Sequence, residues 1–126
     1  MRQRAHESAT VGVRSDDGGG VRLVLAGEFD VATAPLVGDA LREVPVAVRR
    51  VVVDCRAVAF ADCALLRVLL PARTSLVLLG PLPSVMNRML VHSGTRKLFT
   101  IVDDTAPGGG CRRARASAGS VQMTRW

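Results

Sequence analysis

The sequence contains few aromatic residues. Phe29, Phe60, Phe99 and Trp126 make up 3% of the 126 residues, and tyrosine is absent. Because single-stranded nucleic acids are commonly bound by stacking on aromatic rings, this scarcity argues against a stacking platform. The core must instead be built from valine, leucine and alanine, and the hydrophobic fraction is 48%. That fraction, at this length, predicts one folded domain rather than a disordered chain.

Acidic residues are also scarce, but their shortage is concentrated at one end. The formal net charge is +6, and segment 105–126 contributes four arginines and no acid. Residues 1–20 balance, and residues 21–104 hold ten basic against eight acidic side chains. Because four arginines support only weak, salt-sensitive phosphate contacts, we expect no nucleic-acid partner.

Residues that bind metals or act as nucleophiles are few. The sequence has three cysteines and two histidines. Cys55, Cys63 and Cys111 show no paired spacing, which is typical of reduced thiols. Neither His6 nor His92 has a second ligand at zinc spacing, and no glycine-rich phosphate loop precedes a lysine. We therefore expect no metal and no other cofactor.

Long apolar segments are missing as well. The apolar runs are only as long as strands, and the charged start lacks the apolar stretch of a signal peptide. We expect a cytoplasmic protein without membrane contact. Composition divides the chain into a flexible N-terminus at 1–10, a folded domain at 11–104, and a basic Gly/Arg/Ala-rich tail at 105–126 that we predict to be disordered.

The middle of the chain alternates between two hydrophobic patterns. Apolar, β-branched runs predict strands at 10–14, 21–26, 50–55, 75–80 and 97–102, and three-and-four spacing predicts helices at 33–44, 63–70 and 81–92. Thr33 and Asp62 are placed to cap the first two helices. The order predicts an α/β domain with a mixed, mostly parallel sheet of about four to five strands, packed by three to four helices.

Three side chains near the second helix are candidates for chemistry. Asp54 is predicted to end a central strand and Asp62 to begin the next helix, which places both at the carboxyl edge, where α/β proteins bind ligands. Two carboxylates there could hold magnesium, or act only as a turn residue and a cap. Cys63, in the first helical turn, could be reactive or a small structural thiol. A small enzyme or nucleotide-binding protein using these three residues is one hypothesis.

Three ordered segments resemble a known family. Residues 58–69, VAFADCALLRVL, resemble V-x-F-I-D-S-S-G-L-x-x-L of the STAS domain, the fold of bacterial anti-sigma-factor antagonists. Residues 25–36 resemble the family's L-x-G-E-L-D-x-x-T-A-P-L. Residues 77–81, with Ser93-Gly94 and Leu98-Phe99, resemble its closing segment. Three blocks in the right order are far more specific than one short motif.

The resemblance covers roughly residues 11–104 and implies both a fold and a function. It implies a STAS-like α/β domain with no catalytic centre and no cofactor. It implies a regulator that binds an anti-sigma factor of the histidine-kinase-like type and so releases a sigma factor. The implied surface for partner binding and switching consists of Asp30, Thr33, Asp62, Cys63, Ala64 and Arg67. Oligomeric state stays open between a monomer and a weak dimer.

Cys63 stands where the family has a phosphorylated serine, and Leu65 replaces a glycine. Because a thiol cannot serve as the kinase's hydroxyl acceptor, we expect no phosphorylation at this position. One hypothesis is an antagonist that is always able to bind its partner. Another is a diverged STAS module with a different partner, or one in which oxidation of Cys63 supplies the negative charge of a phosphate.

Overall fold

Strands and helices alternate along most of the chain. The computed structural model describes residues 2–15 and 18–103. The elements are β1 (Arg2–His6), β2 (Ala9–Ser15), β3 (Val21–Phe29), α1 (Ala34–Arg42), β4 (Val51–Ala61), α2 (Cys63–Leu69), β5 (Leu76–Gly80), α3 (Ser84–His92) and β6 (Thr100–Asp103). Short 3₁₀ segments, Leu70–Ser75 and Arg96–Leu98, precede β5 and β6. The predicted tail at 105–126 lies outside the described residues.

The described strands form one sheet in which the spatial order equals the chain order. The pairs β1–β2 and β2–β3 are antiparallel, and the pairs from β3 to β6 are parallel. Each parallel pair is joined by a helical crossover, as parallel neighbours require. The predicted mixed α/β fold is therefore confirmed, with six strands rather than four or five.

The main core lies between one face of the sheet and the three helices. Alternate strand residues such as Leu23 and Val53 face the helices, and these two are paired across β3 and β4. Buried side chains of the helices join the same cluster, among them Val37, Leu65 and Leu90. Full burial of each such side chain contributes about 1.5–3 kcal/mol. None of the helices in the described part of the chain has the length and apolar character needed to span a membrane.

A second, smaller apolar cluster lies on the opposite face of the sheet. It consists of Val52, Val77 and Leu79, with Val102 packed against it. All four are strand residues. Because neighbouring strand residues point to opposite faces, Asp54 belongs to this second face, two positions after Val52 in β4.

Two predicted segments differ from the structure. Residues 2–6, predicted to be part of a flexible N-terminus, form β1, which pairs with β2 from Arg2↔Val13 to His6↔Ala9. Residues 56–61, which lie between the strand predicted at 50–55 and the helix predicted at 63–70, continue β4 and pair with β3 as far as Phe29↔Ala61, with register shifts on the way. Pairing with a neighbouring strand makes both segments extended, and a local apolar pattern does not reveal such pairing.

Candidate functional site

The carboxyl ends of β3 and β4 lie side by side. Phe29 pairs with Ala61, and the backbone N–H of Asp62 donates to the Phe29 carbonyl at 3.3 Å. The loop that follows β3 therefore adjoins the start of α2. Residues 30–33 and 62–64, predicted from separate segments to form one surface, are neighbours in the fold.

Gly27 allows β3 to reach this edge. Its φ of +101° is one that side chains rarely adopt, and a Cβ there would lie 2.2 Å from the Ser8 carbonyl oxygen. That carbonyl accepts a hydrogen bond from the Glu28 N–H at 2.9 Å. A glycine is required because the backbone of the β1–β2 turn passes this close to β3.

The loop after β3 is held by Asp30 and Thr33. The Asp30 carboxylate accepts from the N–H groups of Ala32 at 2.9 Å and Thr33 at 3.3 Å. The Thr33 hydroxyl donates to the Glu28 carbonyl at 2.8 Å and accepts from the Asp30 N–H at 3.0 Å. Thr33 precedes α1, but its hydroxyl makes no hydrogen bond into the helix. Since it is also buried, it positions the loop and cannot itself contact a partner.

Asp62 caps α2 as predicted. Its backbone is extended, and its carboxylate accepts from the Ala64 N–H at 2.9 Å. Its carbonyl accepts from the Leu65 N–H at 3.1 Å. Replacing such a cap with alanine typically costs about 1 kcal/mol. The cap determines where α2 begins and makes Cys63 its first residue.

Cys63 and Arg67 lie four residues apart on α2, and both are exposed. Residues four apart share a helical face, while Leu65 and Leu69 of the same helix are buried in the core. Two large apolar side chains are exposed near the ends of the neighbouring strands, Val31 at 79% and Phe60 at 42%. We call these four exposed residues, Val31, Phe60, Cys63 and Arg67, the carboxyl-edge surface.

Sequence reasoning missed Val31 and Phe60 as candidate contact residues. Phe60 lies beyond the strand predicted at 50–55, and its partner in the ladder is Glu28, which is also exposed. Val31 follows Asp30 in the loop and looks unremarkable in sequence. A β4 extended to Ala61 would have indicated that Phe60 points away from the core, because buried Ala61 faces the helices.

Asp54 does not belong to this surface, so its predicted place beside Asp62 and Cys63 is wrong. It lies within β4, paired with Val24 and Leu79, rather than at a strand end. At roughly 3.3 Å per strand residue, about 20 Å or more of chain separates it from Asp62. Within 2–15 and 18–103, no group of three or more His, Cys, Asp and Glu side chains is arranged to hold a metal.

The buried Asp54 carboxylate is ion-paired instead. It accepts from Arg56 Nε at 3.0 Å, Arg56 Nη2 at 2.8 Å and the Arg56 N–H at 3.1 Å. Burial acts to raise the pKa of Asp54, but the hydrogen bonds from Arg56 and the charges of Arg56 and Arg22 outweigh it and lower the pKa below its ordinary value. The carboxylate therefore has a structural role on the second face of the sheet.

The two cysteines in the described residues differ in environment. Cys55 is buried in the main core, and this burial, with a smaller contribution from the Asp54 charge, raises the pKa of its thiol to about 12. Cys63 is exposed at the start of α2. Of these two cysteines, Cys63 is the one placed to meet a partner or a reagent.

Comparison with known proteins identifies the family. The family model described as "Mlab, STAS domain" matches residues 13–101, from within β2 into β6. The chain belongs to the STAS domain family. A solved anti-sigma factor antagonist from Mycobacterium paratuberculosis is 26% identical, with a TM-score of 0.63 over 77% of this chain and 87% of that chain. No curated protein matches the sequence.

A second solved structure shares the fold. The anti-sigma factor antagonist SpoIIAA in its unphosphorylated form is 18% identical, with a TM-score of 0.62 over 75% of this chain and 88% of that chain. In the STAS domain described here, segment 25–36 runs from β3 into α1 and segment 58–69 from β4 through α2. The two segments meet at the carboxyl edge and include all four residues of the carboxyl-edge surface.

Proposed function

We propose that this STAS domain is an anti-sigma-factor antagonist that binds an anti-sigma factor of the histidine-kinase-like type. It acts in the cytoplasm by binding rather than by catalysis, and it is not switched by phosphorylation at position 63. The observation that carries the proposal is the placement of Cys63, exposed at the first residue of α2 and at the edge of the sheet where Val31 and Phe60 are also exposed. The 26% identical antagonist structure supports the same role.

The carboxyl-edge surface has the composition of a protein interface. Exposed Phe60 and Val31 supply apolar area, and Arg67 supplies a charged group on α2. Aromatic and arginine side chains carry a large share of binding energy in protein interfaces. The hydrogen bonds of Asp30 and Thr33 hold the loop that carries Val31, so this part of the surface needs little ordering when a partner binds.

The thiol at position 63 removes the means of release. A serine here would present its hydroxyl at the start of α2, and phosphorylation would add nearly two negative charges to the contact surface. The Asp62 carboxylate already caps this helix end, so a phosphate would also meet an acidic neighbour. Cys63 offers no hydroxyl, and the complex therefore persists in the presence of ATP.

Aspartate substitutions of exposed apolar residues test the proposed surface. Histidine-kinase-like anti-sigma factors encoded in the same genome are titrated with the full chain by calorimetry. We expect the wild type to bind, V31D and F60D to bind at least about tenfold more weakly, and V46D to bind like the wild type. Val46 is a fully exposed valine in the α1–β4 connection, at the other end of β4, and so is a matched control.

Two results would contradict this proposal. One is that none of these anti-sigma factors binds the wild-type chain. The other is that V46D weakens binding as much as V31D and F60D do, since the loss would then not depend on the carboxyl-edge surface.

A second candidate is a STAS module with a different protein partner. It is favoured by Ala64 and Leu65, which depart from the family's S-G pair, and by the description "Mlab" of the matching family model. The same variants distinguish the two candidate partner classes. If an identified partner other than an anti-sigma factor binds with purified components and loses affinity in V31D and F60D, the surface is right and the partner class is different.

A further inference from the structure

The two edges of the parallel part of the sheet carry charges of opposite sign. At the carboxyl edge, acids stand at the ends of three strands: Glu28 and Asp30 at β3, Asp62 at β4 and Asp103 at β6. Segments 28–34 and 80–84, which leave this edge, contain no cation. The carboxylates of Asp30 and Asp62 accept hydrogen bonds from nearby backbone N–H groups at this edge.

The amino edge is basic. The connections that enter β4, β5 and β6 carry five exposed cations, which we call the basic edge: Arg49, Arg50, Arg73, Arg96 and Lys97. Segments 44–50, 70–75 and 93–99 contain no acid. Adjacent strands lie about 4.8 Å apart, so the starts of these three strands span about 10 Å. Asp16 and Asp17, in the β2–β3 turn, lie outside the described residues.

Acids within the described residues do not neutralise these five charges. Arg73 donates to the Leu70 carbonyl at 2.9 Å and Arg96 to the Asn87 side-chain oxygen at 2.7 Å. Both acceptors are neutral, so the cations keep their full charge. Glu43, the acid next to segment 44–50, is ion-paired with Arg4. A cation such as Arg73 can offset the partial negative charge at a helix C-terminus. Arg49 and Arg50 lie in a loop that enters β4, so this explanation does not apply to them.

Apolar side chains are exposed within the same connections. Val48 N–H donates to the Pro45 carbonyl at 3.0 Å and closes a turn. Val44 and Val48 pack against the core, while Val46, between them, is completely exposed. Leu98, next to Lys97, is 47% exposed. Exposed aliphatic groups on the same connections as cations suit a partner that offers both acidic and apolar atoms.

We propose that the basic edge is a second docking surface, for a protein segment rich in acidic residues with apolar side chains among them. Phosphate backbones use cations but leave Val46 and Leu98 uncovered. Interfacial membrane binding relies on Trp, Phe and Leu side chains together with lysine and arginine, and among the described residues of the basic edge the only exposed group of this kind is the half-exposed Leu98. The basic edge lies at the opposite ends of the strands from the carboxyl-edge surface, so the two partners can bind together.

A labelled peptide tests the proposal directly. The probe is a fluorescein-labelled peptide of glutamates with a central pair of leucines, and its binding to the full chain is followed by anisotropy in low and physiological salt. We expect saturable binding that weakens with salt. Replacing the leucines with serine or the glutamates with glutamine in the peptide, or Val46 with serine in the protein, weakens binding several-fold.

Charge-matched variants locate the surface. R49Q/R50Q removes two charges from the basic edge, and R67Q/R88Q removes two exposed arginines from the middle of α2 and α3. We expect at least a tenfold loss of peptide affinity in the first variant and less than a twofold change in the second. Urea unfolding confirms that both variants are folded, so that a misfolded variant is not scored as a loss of binding.

Several results would overturn the proposal. Equal losses in the two variants would mean that net charge alone attracts the peptide. Tighter binding to a DNA duplex or to phosphatidylglycerol vesicles would assign the basic edge to those partners. Self-association seen by sedimentation and abolished in R49Q/R50Q would assign it to a second copy of the chain. Because V31D and F60D leave the basic edge intact, loss of the proposed function and loss of peptide binding are separate outcomes.

Discussion

Replacing Arg56 with methionine should destabilise the fold at neutral pH and much less in acid. Methionine keeps most of the length of the side chain but removes the two guanidinium donors to Asp54, at 3.0 and 2.8 Å. The Asp54 side chain is 9% exposed and that of Arg56 is 38% exposed. The substitution therefore leaves a buried carboxylate with only the Arg56 backbone N–H as a hydrogen-bond donor among those described.

The size of the effect follows from these contacts. A hydrogen bond to a charged group has a net value of about 1.5–3 kcal/mol, so two give a ceiling of about 3–6 kcal/mol. Because Arg56 is more than one-third exposed, solvent screening lowers our expectation to about 2–3 kcal/mol. D54N alone should cost less, about 1–2 kcal/mol, since it leaves no buried charge. The double variant should cost less than the sum by at least about 1 kcal/mol.

The pH dependence has a definite sign. Arg56 lowers the pKa of Asp54, so the pair contributes stability above the unfolded pKa of this residue, and that contribution is lost as pH falls through the folded pKa. In R56M the burial of Asp54 is opposed only by the backbone hydrogen bond and Arg22, so its pKa rises. The free-energy difference between R56M and the wild type should therefore shrink on acidification.

Urea unfolding of the wild type, R56M, D54N and the double variant at neutral and acidic pH measures both quantities. An R56M variant within about 0.5 kcal/mol of the wild type at neutral pH would show that the Arg56–Asp54 pair does not stabilise the fold as expected, because surface substitutions have effects of that size. So would a cost that grows as the pH falls.

Three further predictions concern the edge and the thiols. G27A should destabilise the domain by at least about 2 kcal/mol in urea unfolding, because its Cβ would meet the Ser8 carbonyl and its φ is strained; a cost below 0.5 kcal/mol, roughly that of a surface change, would contradict the close approach. D62A should lower stability by about 1 kcal/mol through loss of the α2 cap, and an unchanged urea midpoint would count against it. A thiol reagent should modify Cys63 in the native protein and Cys55 only after unfolding, since the pKa of Cys55 is about 12 and its side chain is buried; peptide mapping that finds Cys55 modified in the native state would exclude this.

The sequence was most informative where side-chain patterns are local. The valine-rich start of β4 and the leucine run of β5 predicted central strands, and Asp62 predicted the start of α2. The extension of β4 to Ala61 was not visible, because alanine-rich residues 56–61 have weak strand preference and are extended through pairing with β3 across register shifts. β1 was not predicted for a similar reason. Its sequence, RQRAH, has no apolar alternation, and pairing with β2 makes it a strand.

The candidate site was predictable in part for the same reasons. Segments 25–36 and 58–69 each carry a recognisable motif, so their meeting at one edge follows from parallel pairing of β3 and β4. Asp54 was misplaced because its position depended on where β4 ends. Threonine is a common helix cap, which is why Thr33 was predicted to cap α1. Its hydroxyl instead hydrogen-bonds to the Glu28 carbonyl and the Asp30 N–H. The exposure of Val31 and Phe60 depends on which face each backbone position presents, which only the fold determines.

The proposed phosphorylation-insensitive binding is tested by the affinity of the chain for a histidine-kinase-like anti-sigma factor, measured before and after incubation with that kinase and ATP. We expect that the wild-type complex forms and that its Kd is unchanged by ATP, with no phosphoryl group found by intact mass. C63S should form the same complex and, if serine restores the acceptor, should become phosphorylated and lose affinity at least about tenfold. A wild-type chain that is phosphorylated and released, or that binds no anti-sigma factor while remaining folded, would mean that the protein is not an antagonist insensitive to phosphorylation.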